Sequence, residues 1–396
     1  MKKIIFLYHT STIGGGSFCL LNILKSLDRN NVEPYVLLCN DGPLVHEIKS
    51  LGVNVCFLPK MHVVPYNTST FTIKKIKNAI EIIRSMNDLK DIIKNINPEI
   101  VYCNTMMLYP YLRPAKECGC KTIIHIREHW PENEHKWQRN MALSHIAKFA
   151  DEIVAINRYS ASMIEPYGRQ ASIVYDWIDM SSRYEEMSLE RIFSEDMNDK
   201  KTFLFMGGMQ SIKGVKQVLQ AFTQHFLNEN YRLLILGLDV NYKTKGFRGK
   251  VKGLLSFMGI KSFSEQIIEL AKSDKRIKCI PSVYNIRHLY EQVYCILSYF
   301  TIPHANLALA ESIICNTVNV AALTDESLEY SLEGELAILF EENNYDDFLL
   351  KLRNIESLYD ECVQKMRDKS FEIENKFNPE RNINVLNHVI EKVSIL

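Results

Sequence analysis

The chain has 396 residues, a length that fits two or three ordinary domains. Apolar residues make up 46% and charged residues 24%, which excludes a disordered chain and leaves enough apolar material for two cores. Its 47 basic residues balance its 47 acidic ones, so bulk attraction to nucleic acid is not expected, although a local basic patch is compatible with the balance.

The ten cysteines are scattered, with no CxxC pair and no His/Cys cluster at zinc spacing. In a chain this long, that reads as reduced, buried thiols and a cytoplasmic setting. No stretch approaches the roughly eighteen apolar residues of a membrane-spanning helix. The opening Met1-Lys2-Lys3 and Ile4–Tyr8 resemble a secretory leader only briefly, because the run stops at His9-Thr10-Ser11. A buried first strand is the better reading, and any membrane contact should be peripheral.

In chain order, Ile4–Tyr8, Pro34–Leu38, Val53–Leu58, Ile100–Cys103, Thr122–Ile126 and Glu152–Ile156 read as strands. Cys19–Leu27 and Ile73–Ile96 between them read as helices. Strand and helix alternating at this pitch predict βαβ units and a mostly parallel sheet. A charged stretch without periodicity, Ser181–Lys201, reads as a linker. The pattern then restarts with Thr202–Met206, Arg232–Leu236, Ile277–Ile280, Cys295–Ser298 and Val318–Ala322. Asn378–Val393 reads as a closing helix, able to pack back on the first domain. The expected fold is therefore α/β, with two facing doubly wound Rossmann-like domains and a ligand cleft between them. The expected boundaries are 1–180, a linker at 181–201, 202–376, and a C-terminal helix at 377–396.

Three motifs bear on chemistry. At the first strand–helix junction, Gly14-Gly15-Gly16-Ser17 allows a sharp turn, and the helix start offers N–H groups to an anion. It is not the dinucleotide fingerprint, because Cys19 stands where the third glycine belongs. A plain tight turn is the simpler reading. The second domain opens with Gly207-Gly208-Met209, then Lys213-Gly214, which places a cation where it can meet a phosphate. A solvated lysine is the simpler reading. The third motif runs from Pro303-His304 through Asn306-Leu307 to Glu311. Here a carboxylate in the first turn of an apolar helix can accept from ligand hydroxyls, or merely favour the helix dipole. His125, Arg127, Glu128 and His129 cluster at a strand end, where a cleft ligand would sit and where Arg127 could neutralise a phosphate. Alternation puts His125, Arg127 and His129 on one face and Glu128 with Ile124 and Ile126 on the other. An Arg127–Glu128 ion pair with surface histidines is the alternative.

Together these motifs resemble the group 1, family 4-like glycosyltransferases of GT-B fold, which retain anomeric configuration. The turn before Leu20-Leu21-Asn22, Gly207-Gly208-Met209 before Lys213-Gly214, and Glu311-Ser312-Ile313-Ile314-Cys315 carry the resemblance. His125-Ile126-Arg127-Glu128 and Tyr175-Asp176-Trp177-Ile178-Asp179 are weaker echoes. The resemblance implies a nucleotide-diphosphate sugar as donor substrate and no metal or other cofactor. It assigns Lys213 to the diphosphate, Glu311 to the ribose hydroxyls, and Asn306, Leu307 and Gly207 to the donor site. Gly15 and Gly16 would face the donor from the first domain, and His125, Arg127 and Lys213 would be the catalytic groups. It also implies a glycan or lipid-linked acceptor and a role in surface polysaccharide assembly; the residues themselves, not the resemblance, suggest the cytoplasmic location and a peripheral contact with an anionic membrane. The chain departs from the family pattern at Pro303, where a second carboxylate is expected, at Gly208 in place of Arg, and at Asp176-Trp177 in place of Asn-Gly. Those departures keep open a glycosyltransferase-like binding subunit and a nucleotide-sugar epimerase of related architecture. Two basic, apolar stretches, Thr72–Asn95 and Asn241–Phe263, are candidate membrane contacts, with ordinary packing as the alternative.

Overall fold

The computed structural model describes residues 1–64, 73–178, 187–240, 261–281, 283 and 286–395, without the side chains of residues 73–76 and 395. The chain divides into two compact units, residues 1–177 with 377–396, and residues 178–376.

The first unit holds seven strands. They are β1 (Lys2–Leu7), β2 (Val32–Leu38), β3 (Asn54–Phe57), β4 (Ile100–Cys103), β5 (Lys121–Ile126), β6 (Glu152–Ala155) and β7 (Ser172–Ile173). All pair in parallel, in the order β3-β2-β1-β4-β5-β6-β7. Burial on both faces explains the continuous apolar strands, since Ile4 to Leu7 and Ile100 to Cys103 are wholly inaccessible. One face packs against the helices Ile73–Ile96 and Lys136–Phe149 through Ile82, Leu89, Ile93, Leu143 and Ile146. The other packs against Gly15–Ser26 and against the closing helix Pro379–Ile395, through Leu386, Val389, Ile390 and Val393. The chain's last segment therefore completes the core of its first unit.

The second unit holds β8 (Lys201–Phe205), β9 (Tyr231–Leu236), β10 (Ile277–Ile280), β11 (Cys295–Ser298), β12 (Val318–Ala322) and β13 (Ile338–Phe340). They too are parallel, ordered β10-β9-β8-β11-β12-β13.

Several expectations need correction. Ser181–Lys201 is not a linker throughout. Residues 181–186 lie outside the described residues, but Leu189–Phe193 forms a helix, and Leu189, Phe193 and Met197 are buried against Leu204 and Tyr290 of the second unit. The apolar spacing there is a short amphipathic turn hidden among charges. β8 starts at Lys201, and β7 and β13 went unread because two or three residues carry no periodicity. The long connection after Gly237 contains the helix Phe263–Lys272, opened by Ser262 with Glu265 three residues on. Most of the candidate membrane segment Asn241–Phe263 lies outside the described residues.

Candidate functional site

In an open parallel sheet, ligands bind beyond the carboxyl ends of the strands, where the strand order reverses. In the first unit that point lies between β1 and β4, and in the second between β8 and β11. The segments following β1, β8 and β11 contain the glycine, Lys213 and Glu311 candidates, and the one following the neighbouring β5 contains Arg127 and Glu128.

After β1, the turn at Gly14–Gly16 is closed by Ser17. The Ser17 hydroxyl donates to the carbonyls of Thr12 and Gly14 at 2.9 Å and accepts from the Gly14 amide at 2.8 Å. Gly15 and Gly16 are exposed at the helix start. A Cβ at Gly16 would lie 2.9 Å from the Tyr8 hydroxyl, so a side chain there would crowd the turn.

After β5, Arg127 is almost enclosed, with its side chain 9% exposed. One terminal nitrogen donates to both carboxylate oxygens of Asp176, at 2.5 and 2.7 Å. Its Nε donates to Asn104 Oδ1 at 3.2 Å, and its other terminal nitrogen lies 3.2 Å from His125 Nδ1. Burial opposes the charge on Arg127, but the Asp176 carboxylate outweighs it and holds the guanidinium pKa above its usual range. The expectation of Arg127 as an open phosphate cation is corrected here, because its charge is already matched by Asp176. The alternative Arg127–Glu128 pair is not formed either. Glu128 turns away to accept from Thr105 Oγ1 and from the amides of Met106 and Arg127, at 3.1 and 2.9 Å for the amides. Burial raises its pKa, and those hydrogen bonds work against the rise.

His125 is buried rather than on the surface. The Tyr102 hydroxyl lies 2.8 Å from its Nδ1. Arginine can only donate, so Nδ1 is an acceptor and the neutral ring carries its proton on Nε2. That Nε2 has no hydrogen-bond partner among the described residues, and neither has Asn104 Nδ2. Burial, and then the Arg127 charge, push the His125 pKa well below 6.5. His129 stacks on Tyr159, with ring centroids 3.7 Å apart. Asp176 and Asn104 were not singled out for this cluster. The strand before Asn104 is legible and β7 before Asp176 is not, and nothing in the linear pattern marks a partner 49 residues from Arg127.

A pH dependence follows. An unfolded histidine takes up a proton near pH 6.5, whereas folded His125 resists it, so its contribution is complete above about pH 6.5 and is lost as the pH falls below it. The loss is about 1.4 kcal/mol per pH unit for a fully buried group. His9 and His145 act in the same direction, with His145 lowered to about 4. Glu128 and Glu311, whose pKa values are raised, act oppositely above about pH 4.5. We expect His125→Gln to flatten the fall in stability between pH 6.5 and 5, measured by urea unfolding at each pH. An unchanged slope would count against the buried neutral ring.

In the second unit, β8 leads to Gly207, Gly208 and then Lys213, whose Nζ lies over the Phe300 ring at 5.9 Å from its centroid. Burial lowers the lysine pKa. A Cβ at Gly207 would lie 2.8 Å from Lys213 Cβ, so the two are in close contact. Gly208 has φ +55°, and a Cβ there would lie 2.7 Å from the Gly237 carbonyl oxygen. The glycine is therefore a backbone requirement of this loop, and no arginine fits its conformation. Gly208→Ala is expected to cost about 2 kcal/mol, from the left-handed conformation and the backbone contact together. Thermal unfolding measures it, and a stability equal to the parent's would refute the crowding.

On the far side of β11, Phe300 lies 5.7 Å from the His304 ring, and the buried Asn306 opens the helix Leu307–Ile314. The amides of Leu307 and Ala308 begin that helix. Glu311 is in its second turn, not its first, so it cannot serve as a dipole partner at the helix start. Instead it accepts from the Tyr290 hydroxyl at 2.6 Å. Burial raises its pKa, and the Tyr290 hydrogen bond opposes the rise. The second unit thus brings Gly207 against Lys213, whose amine lies over Phe300, and sets Glu311 against Tyr290.

Residues 13–182 match the family model Glycosyltransferase Family 4, and residues 189–371 match Glycosyl transferases group 1. With two parallel-sheet units and these two matches, the protein is a glycosyltransferase of GT-B fold. It belongs to the group 1 family, with a family 4 first unit. No curated protein sequence matches the chain significantly. Among solved structures, HepE of Anabaena in complex with UDP-glucose superposes with a TM-score of 0.74 at 15% identity, each chain covered in full. Sucrose-phosphate synthase of Thermosynechococcus elongatus gives 0.69 at 9% identity, with 99% of each chain covered. A putative UDP-N-acetylglucosamine 2-epimerase of Listeria monocytogenes gives 0.60 at 12%, with 99% of this chain and 98% of that one covered. Transferases and an epimerase share the architecture, so at these identities it shows the fold alone. The family matches, not the superpositions, separate the transferase from the epimerase reading.

Proposed function

We propose that the protein transfers a sugar, with retention of configuration, from a nucleoside-diphosphate donor to a glycan or lipid-linked acceptor. Surface polysaccharide assembly at the cytoplasmic face of a membrane is the setting. The observation that carries the proposal is that Lys213 follows β8 and Glu311 lies in the helix that follows β11, the two strands of the second sheet's switch point, in a chain of this family. Lys213 meets the diphosphate and neutralises it as it leaves. The amides of Asn306 and Leu307 and the backbone at Gly207 take the remaining phosphate oxygens. Glu311 accepts from the ribose hydroxyls. Within the first unit, Gly15 and Gly16 offer amides at the start of the helix Gly15–Ser26, and His125 and Arg127 supply fixed polar groups at the end of β5. HepE was solved with UDP-glucose, so a uridine donor is the first to test.

The test is a panel of nucleotide sugars, followed by thermal shift and by donor hydrolysis. A ligand at about a hundred times its Kd stabilises by about 2.7 kcal/mol. Stabilisation by one sugar nucleotide with slow hydrolysis supports the transferase. Pro303, which puts no carboxylate eight residues before Glu311, favours a second reading as a binding subunit. Stabilisation without any turnover would select that reading, and no stabilisation by any donor would refute both.

A further inference from the structure

In the first unit, a βαβ helix starts at the carboxyl end of the preceding strand, which is the ligand end of the sheet. The helices Ile73–Ile96 and Lys136–Phe149 lie on the same face of the sheet, with the short helix Leu112–Glu117 packed between them. At helix spacings of about 10 Å, their outer surfaces are about 20 Å apart. The first halves of both long helices carry apolar side chains on the outside. Ile80 is 46% and Ile83 63% exposed, while Trp137 is 74% and Met141 39% exposed. Ile80 and Ile83 share their stripe with Lys77 and Arg84, at helical spacing. Trp137 and Met141 are one turn apart, beside Lys136.

Charge divides the first of these helices. Residues 73–84 contain Lys74, Lys75, Lys77 and Arg84 against one acid, Glu81. That acid is half-buried and committed to His62 at 2.6 Å, with Lys77 only at 3.9 Å. Arg84 and Lys136 form no ion pair among the described residues. In the second half, by contrast, Lys90 is paired with Glu117 at 2.6 Å and Lys94 with Asp91 at 3.4 Å. Glu132 and Glu134 are the acids near Lys136, so the excess positive charge sits on the first helix. Unpaired cations beside exposed isoleucines and a tryptophan suit an anionic bilayer surface, where aromatic rings settle at the headgroup level. A protein partner would need a shaped, continuous patch, and this surface is two stripes separated by a polar helix.

We infer that the first halves of the helices Ile73–Ile96 and Lys136–Phe149 form a docking face for an anionic membrane, with Ile80, Ile83 and Trp137 entering the headgroup layer. The face lies at the ligand end of the first sheet, and the inference deepens the reading of a lipid-linked acceptor.

Trp137 makes the test site-specific, because Trp130 and Trp177 are 2% and 5% exposed. The full-length protein is mixed with vesicles of phosphatidylglycerol or of phosphatidylcholine, with and without brominated acyl chains, at low and high salt. The expected result is a blue shift and bromine quenching of Trp137 with the anionic vesicles only, reversed by salt and absent in Trp137→Phe. Lys77→Ser, Arg84→Ser and Lys136→Ser should each weaken binding about fivefold. Ile83→Ser should reduce quenching with little loss of the charge-driven step. Sedimentation with anionic vesicles while Trp137 stays unquenched would overturn the inference and direct attention to residues 241–263. Absence of binding would overturn it too, as would a lipid-free, concentration-dependent shift of Trp137, which would mean a second copy of the chain covers the face. None of these readouts requires turnover, so donor hydrolysis without membrane binding refutes this inference alone.

Discussion

Asp176→Ala is expected to destabilise the first unit by about 3–5 kcal/mol, because it leaves the Arg127 guanidinium buried without a counter-charge. For a unit of this size that corresponds to a fall in Tm of roughly 6–20 °C. The Arg127 side chain is 9% and the Asp176 side chain 18% exposed, so water can do little to replace the lost partner. The double variant Arg127→Met/Asp176→Leu should recover much of the loss, since removing both charges also removes the cost of burying them. Urea unfolding of the parent, the two single variants and the double variant closes the cycle. Additive losses would mean that the pair is not coupled, and that the damage comes from other contacts of the two side chains. A second consequence reaches the ligand end of the sheet. Arg127 sets which way Asn104 presents its amide and which ring nitrogen of His125 holds the proton, so losing Asp176 also unfastens those two donors.

The strands of both sheets were legible because parallel strands buried on both faces must be continuous apolar runs. Ile277–Ile280, Cys295–Ser298 and Val318–Ala322 were read with their observed ends. What escaped reading was what depends on distant partners. Gly208 looked like the loss of a cation. Its meaning appears only when the Gly237 carbonyl, from the next strand's end, is seen against it. Arg127 looked available for phosphate, because Asp176 arrives from beyond β7, a strand too short to announce itself. Glu311 was placed one turn too early, which amounts to expecting the helix to begin after Leu307, whereas the buried Asn306 opens it at Leu307. The segment at residues 189–201 was misjudged for a simpler reason. Its few apolar residues, Leu189, Ile192, Phe193 and Met197, are diluted by acids and bases, yet they are enough to fasten it to the second core. Charge density describes the surface of a segment, whereas its anchoring depends on a few side chains.

Lys213→Ala is expected to weaken binding of the donor, or of its nucleoside diphosphate, about 10- to 150-fold. A charge-assisted hydrogen bond of about 1.5–3 kcal/mol is lost. Lys213 has no carboxylate partner among the described residues, and its contact is the face of Phe300. A cation held only by a ring has its charge available for a ligand, and burial, which lowers its pKa, is relieved when a diphosphate arrives. Turnover should fall further than affinity, because negative charge grows on the leaving diphosphate as the sugar departs. Glu311→Gln separates the second role. An amide oxygen accepts from ribose hydroxyls less well than a carboxylate, so nucleotide affinity should drop while turnover at saturating donor is largely kept. The pH dependence adds a signature that a merely structural residue would not show. Burial raises the Glu311 pKa, so in the parent the nucleotide affinity should decline as the pH falls toward that raised value. In Glu311→Gln that part of the decline should vanish, leaving the part due to protonation of the diphosphate itself, whose second pKa is about 6. Isothermal titration of the nucleoside diphosphate into each variant from pH 8 to 5, with circular dichroism to confirm folding, decides it. Equal affinities in the parent, Lys213→Ala and Glu311→Gln would remove the donor from the switch point of the second sheet.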